Sequence, residues 1–394
     1  MASQYAADQF YPATGAWMPG DPVGHRQFLQ FPATRPFALD SGVTMHGVTV
    51  AYETWGALDD SASNAVLLCH AWTGDSHATG PAGRGHEAPG WWEGLIGSGL
   101  AIDTDRWFVV CANVLGGCQG STGPSTAHPV DGLPYGSRFP VVTIRDMVRA
   151  QARLADHLGI DVWHSVIGGS LGGMQVLEWA ITYPQRVRSI LPIATSVQAT
   201  AQQIAWGSIG RRAIRLDPKW CGGDYYDAAL GEGPWEGLSI ARMVAQVTFR
   251  SDNVFTEKFG RDLADGATFG GNIGLWQRFE VESYLDHHGI KLIRRFDANS
   301  YMIIGKAMDL HDVGRSRGGL VSAMRRITMP STVVGISSDI LYPSYQQRQI
   351  HALLDTVGDS RYAEIDSPHG HDAFLLNIDQ LVPLVDDLFT RAKG

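Results

Sequence analysis

Five short apolar runs constrain the fold of this chain more than anything else in it: AVLLCHAW, WFVVCANV, WHSVIGGS, SILPIATS and STVVGISSD. Each is close to continuous rather than alternating, and together they are rich in Val and Ile. That pattern is expected of strands covered on both faces, as in a parallel sheet with helices above and below. Parallel strands need crossover segments, and helix-like stretches separate several of the runs. In IRDMVRAQARLADHLGI, for example, Met147, Ala150, Leu154 and Leu158 share one stripe. The expectation is an α/β chain with a mostly parallel sheet flanked by helices. Its 394 residues suffice for one large core, or for one domain carrying an insertion.

The pattern is interrupted twice. FALDSGVTMHGVTVAYETWG alternates and carries glycine punctuation, which predicts a hairpin-type antiparallel start. Between about 200 and 315 no Val/Ile run is evident, and QQIAWGSIGRRAIRLDP, LSIARMVAQVTFRS and FEVESYLDHHG read as helices. The sheet pattern resumes at MPSTVVGISSD. We therefore divide the chain into an N-terminal tail (1–34), a core (35–198 and 316–394) and a helical insertion (199–315) capping the sheet. A cap over the C-terminal ends of parallel strands makes a pocket that excludes water. The tail, rich in Pro, Gly and aromatics, is expected to pack late or stay loose.

Charge and motifs exclude several function classes. A formal net charge of −9, with no local basic run, argues against nucleic acid as a partner. No basic and apolar leader and no bilayer-length apolar run are present, so neither secretion nor a membrane partner is expected. Cys69, Cys111, Cys118 and Cys221 are too few and too irregular for a disulfide framework and fit a reduced, cytoplasmic protein. His70, His77 and His86 cluster in sequence, but without H-E-x-x-H or paired Cys spacing no metal site is expected. The glycine-rich GGNIG and LGGCQGSTG fit flexible loops better than nucleotide fingerprints.

One of the five runs ends in Gly168-Gly169-Ser170-Leu171-Gly172, a G-x-S-x-G. After it, Leu171, Met174, Leu177 and Ile181 recur at helical spacing, and Pro184 lies beyond their end. Strand, tight turn and helix form the context in which this motif presents a nucleophile, with the Leu171 N–H facing a developing oxyanion. A glycine-rich turn with an incidental serine is the competing explanation. A nucleophilic serine needs a base and a carboxylate that orients it, here in the chain order Ser, Asp or Glu, His. Asp339 follows the late run TVVGIS, and RYAEIDSPHGHDAFLL offers His369 and His371 near the C-terminus. LLCHAWTGDSH is the early loop from which the second oxyanion donor should come, and Trp72 N–H is the candidate.

Together AYETWG, LCHAWTGDSHATGPAG, GWWEGLIGSG, NVLGGCQGSTGP, YGSRFPVVTIRDMV, VIGGSLGGMQVLEW, RFDANSYMIIGKAMDLHDV and PHGHDAFLL resemble the homoserine O-acyltransferases of methionine biosynthesis. The resemblance runs from roughly residue 35 to the C-terminus. It implies an α/β-hydrolase fold with a helical lid and a homodimer associated through the lids. It also implies acetyl transfer from acetyl-CoA, by way of Ser170, to the hydroxyl of L-homoserine. Acetyl-CoA is then a substrate, and no permanently bound cofactor is implied. The resemblance selects His371 over His369 and makes Asp339 its partner. It assigns the lid residue Arg242 to the amino acid's carboxylate, which a planar guanidinium can hold bidentately. Asp372 would receive the ammonium group.

Two positions depart from the family pattern, and a third separates donor types. Thr248-Phe249-Arg250 stands where T-Y-R is usual, and His70-Ala71-Trp72-Thr73-Gly74 where H-A-L-T-G is usual. Succinyl-using relatives carry an arginine two residues after the aspartate, where this chain has Leu341, which favours acetyl. A succinyl donor, a serine acceptor, simple ester hydrolysis and a non-catalytic binding role are the competing readings.

Overall fold

The computed structural model describes residues 11–264 and 274–392 of the chain. Its central sheet contains β1 (Gln27–Gln30), β2 (Thr49–Trp55), β3 (Ala65–Cys69), β4 (Phe108–Ala112), β5 (Ser165–Gly169), β6 (Ile190–Ile193), β7 (Ser331–Ile336) and β8 (Ser360–Ile365). They lie in the order β1-β2-β4-β3-β5-β6-β7-β8. β2 pairs antiparallel with both β1 and β4, and every pair from β4 to β8 is parallel. The five apolar runs are β3 to β7, and every residue of β3, β5, β6 and β7 is buried. Alternate residues serve opposite faces. Ala65, Leu67 and Cys69 enter the core under α1 and α2, while Val66 and Leu68 join a second core on the other face.

Eleven helices are described: α1 (Ile144–Leu158), α2 (Leu171–Thr182), α3 (Ala201–Leu216), α4 (Trp235–Phe249), α5 (Asp252–Phe259), α6 (Glu280–Ile293), α7 (Ala298–Asp309), α8 (Leu320–Met324), α9 (Ser344–Leu354), α10 (Ala373–Leu376) and α11 (Ile378–Arg391). α1 starts on a capping box between Thr143 and Asp146 and stops at Gly159, whose φ of 73° suits glycine. Helices α3 to α8 all lie between β6 and β7, and no described residue there joins the central sheet. None of the described helices is long and apolar enough to cross a membrane.

The amino-terminal stretch is packed, not loose. Residues 27–30 form the edge strand of the main sheet, Ala13 and Ala16 are buried, and Trp17 N–H donates to Cys118 O at 2.9 Å. From residue 11 onward it is therefore not a loose tail. The aromatic residues read as signs of looseness are its anchors, with Trp17 packed on Phe28 and Phe31 on Phe37. The expected hairpin is also redistributed. Phe37–Ala38 and Thr44–Met45 pair with each other, while β2 pairs with β1 and β4 instead.

A buried charge fixes the helix that follows the G-x-S-x-G turn. Glu178 of α2 is 2% exposed, and Arg145 Nε and Arg317 Nη1 each donate to it at 2.9 Å. Burial alone would raise its pKa, but the bonds and charges of Arg317 and Arg145 win and hold it below the usual carboxylate range. Glu178→Ala would strand two guanidinium groups against the side of α2. Loss of one partner from such a buried cluster costs about 3–5 kcal/mol. Equilibrium denaturation should show that loss, and a change below about 1 kcal/mol would contradict this role.

Candidate active site

Ser170 stands between β5 and α2 at φ 58°, ψ −121°, in the left-handed region that a residue with a Cβ occupies only under constraint. The surroundings supply that constraint. Ser170 N–H donates to Ile193 O at 2.9 Å, and Thr195 Oγ1 donates to Ser170 O at 3.0 Å. The neighbouring glycines are there because backbones nearly touch. A Cβ on Gly172 would lie 2.0 Å from Cys69 O, and one on Gly168 2.7 Å from the same oxygen. α2 is thus pressed against the end of β3, with the serine at the apex.

Asp339 follows β7 and is 5% exposed. Its Oδ1 accepts from the N–H groups of Leu341 and Tyr342, both at 2.8 Å. Its Oδ2 lies 2.6 Å from His371 Nδ1, so His371 rather than His369 is the histidine held by the carboxylate. The His371 ring packs among Tyr342, Phe249 and Phe374 at centroid distances of 5.2, 5.8 and 5.6 Å. Phe374 in turn abuts Gly169, beside the serine. His371 Nε2 is buried and makes no hydrogen bond among the described residues, so its bond to the serine hydroxyl is not closed in this geometry. Such bonds are often long before substrate binds. Burial disfavours the imidazolium, but the charge of Asp339 and its bond to Nδ1 outweigh burial and raise the His371 pKa.

Two backbone donors border the serine. Leu171 is the first residue of α2, where N–H groups lack helical acceptors. Trp72 lies in the loop after β3. His70 pins that loop: its Nε2 accepts from Val114 N–H at 3.2 Å, so Nδ1 carries the proton and donates to Ala71 O at 3.0 Å. Burial lowers the His70 pKa and keeps the ring neutral for this purpose. Among the described residues, neither the Trp72 nor the Leu171 N–H donates to a protein acceptor. A cavity of about 50 Å³ adjoins Ser170 and is lined by Trp72, Phe249, Tyr301, Leu341 and Tyr342, among others. It is mostly apolar, and α3, α4 and α7 supply much of its wall.

Arg242 projects from α4, with its guanidinium over the Phe249 ring at 5.2 Å and no ion pair among the described residues. Burial lowers its pKa, opposed by the charge of Asp372. Asp372 Oδ2 is 3.3 Å from Arg250 Nη2, so a second lid cation competes with any ligand for that carboxylate. Arg250 was visible in Thr248-Phe249-Arg250, but nothing in its local sequence indicates a partner more than a hundred residues away.

The histidine cluster divides in space: His70 pins the loop after β3, while His77 and His86 stay together. His77 Nδ1 lies 2.9 Å from Glu53 Oε2, and the His77 and His86 rings stack at 3.8 Å with 9° between planes. These three buried residues bring their polar atoms within 4.8 Å of one another. Stacked rings direct their lone pairs along parallel planes rather than toward one point, which suits a hydrogen-bonded group better than coordination. GGNIG lies outside the described residues except for Gly274.

The α/β hydrolase fold family model matches residues 64–378. A homoserine O-acetyltransferase of Thermobifida fusca (strain YX) is 53% identical over 383 residues, covering 96% of this chain and 98% of the relative. This chain belongs to the homoserine O-acetyltransferase family. A second member, from Leifsonia xyli subsp. xyli, is 51% identical over 93% of this chain and 90% of its own length. Among solved structures, the homoserine O-acetyltransferase of Bacillus anthracis superposes with a TM-score of 0.84 at 29% identity, covering 93% of this chain and 97% of that one. Esterase E22 gives 0.83 at 28% identity, covering 92% and 99%. Trp72 and Phe249, which depart from the family pattern, and Leu341, which stands where succinyl-using relatives carry an arginine, all line the cavity beside Ser170.

Proposed function

We propose that this chain transfers acetyl from acetyl-CoA to the hydroxyl of L-homoserine by a ping-pong mechanism. The observation that carries the proposal is the strained Ser170 elbow beside a buried, carboxylate-held His371, in a chain about half identical to enzymes named for that reaction. His371 Nε2 takes the Ser170 proton as Oγ attacks the thioester carbon. The Trp72 and Leu171 N–H groups stabilise the oxyanion, at about 3–4 kcal/mol per donor lost. Collapse expels coenzyme A, whose sulfur receives the proton from His371. The homoserine hydroxyl then gives its proton to His371 and attacks acetyl-Ser170, and the proton returns to Ser170 as O-acetylhomoserine leaves. Asp339 holds the imidazole tautomer and stabilises its charged form throughout.

Acceptor recognition belongs to Arg242 and Asp372 in this reading. A half-buried guanidinium that forms no direct ion pair among the described residues is a ready site for a carboxylate. Leu341 leaves the distal carboxylate of a succinyl donor without a cation at that position, which supports acetyl. Arg242→Ala should leave the burst of coenzyme A release nearly intact while turnover with homoserine falls about ten- to a hundredfold. Stopped-flow and steady-state assays over acetyl-CoA, succinyl-CoA, homoserine and serine test this and the substrate choice together. Equal slowing of burst and turnover by Arg242→Ala would contradict the acceptor role.

The likeness to esterase E22 supports ester hydrolysis as the second reading. Faster acetate release without an acceptor than transfer with homoserine would favour it. The proposal also includes a cytoplasmic homodimer joined through the helical insertion. Exposed Ile209 and Leu216 on α3 and Ile240 and Val247 on α4 offer apolar surface for that contact, and four free cysteines fit a reducing compartment.

A further inference from the structure

Away from Ser170, the same cavity reaches an ion pair that the proposed chemistry does not use. Asp309, at the end of α7, lines the cavity together with Trp72. Its Oδ2 is bonded to Arg211 Nη2 of α3. Two buried donors there find no acceptor among the described residues: Arg211 Nη1 and Trp72 Nε1. The two side chains meet over Gly305. A Cβ on Gly305 would lie 3.2 Å from Trp72 Cζ2 and 3.5 Å from Arg211 Nη1. A Cβ on Gly207 would lie 2.9 Å from Arg211 Nη1 and 3.2 Å from Asp309 Oδ1, an oxygen that accepts no hydrogen bond among the described residues. Glycine at 207 and 305 thus leaves polar atoms of the pair uncovered by side chains from the two helices.

Buried donors without acceptors are costly and are retained where a ligand completes them. The charges of Arg211 and Asp309 cancel, so a carboxylate on the ligand would gain little from the cation and be repelled by the neighbouring anion. A neutral group with both an acceptor and a donor fits instead. We infer that Trp72 Nε1, Arg211 and Asp309 form a subsite for the secondary amide nearest the sulfur of the thioester donor. The amide carbonyl accepts from Trp72 Nε1 and Arg211 Nη1, and its N–H donates to Asp309 Oδ1. In acetyl-CoA only an ethylene spacer separates that amide from the sulfur, so thioester and amide can occupy the two ends of one cavity. The inference rests on the acetyl-CoA reading above. It gives the Trp72 side chain a function distinct from that of its backbone N–H.

The test compares acetylation rates of Ser170 from acetyl-CoA, S-acetyl-N-acetylcysteamine and S-propyl thioacetate, the last lacking the amide. Trp72→Phe removes one N–H and keeps an aromatic ring. The double variant Arg211→Met/Asp309→Leu removes the pair without stranding a charge. In each, the preference for S-acetyl-N-acetylcysteamine over S-propyl thioacetate should fall about tenfold or more, as loss of one hydrogen bond predicts. An unchanged preference in Trp72→Phe overturns the subsite even if the double variant does not fold. The two readings fail differently. If acetyl-CoA acetylates the wild type but the preference is insensitive to both variants, the subsite falls and the donor stands. If S-acetyl-N-acetylcysteamine is preferred in a Trp72-dependent way while acetyl-CoA is not used, the donor falls and the subsite stands.

Discussion

Ser170→Ala should lower acetyl transfer by about a million-fold, because removing the nucleophile disables base and carboxylate together. The Ser170 φ of 58° places Oγ at the apex of the β5–α2 turn, and the turn exists because Gly168 and Gly172 let α2 approach Cys69 O. Alanine can take the same backbone conformation, so the elbow and the two backbone donors should persist. Circular dichroism and thermal unfolding close to wild type, with transfer lost, is the expected pair of results. Transfer within a hundredfold of wild type would mean that homoserine attacks the thioester directly.

Asp339→Asn should cost about 10⁴ in transfer rate, roughly 5.4 kcal/mol of barrier, with the fold retained. The amide can still accept from the Leu341 and Tyr342 N–H groups, but it no longer stabilises the imidazolium or selects its tautomer. The pH profile should move as well. In the wild type, burial pulls the His371 pKa down and Asp339 raises it above the ordinary histidine value of 6.5. Since the base must be unprotonated, kcat/KM should rise with pH through a pKa above 6.5. In Asp339→Asn the raising influence is gone while burial remains, so the limb should shift to lower pH. A limb that stays in place would show that another group titrates.

Much of this was legible because it follows from local chemistry. Continuous Val/Ile runs specify β3 to β7, since strands covered on both faces have no polar side to show. The G-x-S-x-G turn could be placed because strand, glycines and helix are consecutive in sequence. Asp339 and His371 could be named from chain order, although spacing alone left His369 open and only the 2.6 Å bond separates them by geometry. What stayed hidden depends on long-range proximity. The edge strand Gln27–Gln30 has no apolar pattern because one side of it faces solvent, and its pairing with Thr49–Trp55 decides its conformation. Arg250 of the helical insertion meets Asp372 of the core, and Arg211 meets Asp309 within the insertion. Neither partner carries a local signal of the other.

The central claim is an acetyl group carried on Ser170 between two substrates, and intact-mass measurement in a rapid-quench experiment tests it most directly. Mixed with acetyl-CoA alone, the wild type should gain one acetyl group at the rate of the coenzyme A burst. Peptide mapping should place it on Ser170, and addition of homoserine should remove it at least as fast as steady-state turnover. The Ser170→Ala variant should gain none. Turnover with no acetylated protein at any quench time, or an adduct that homoserine does not discharge, would contradict the account.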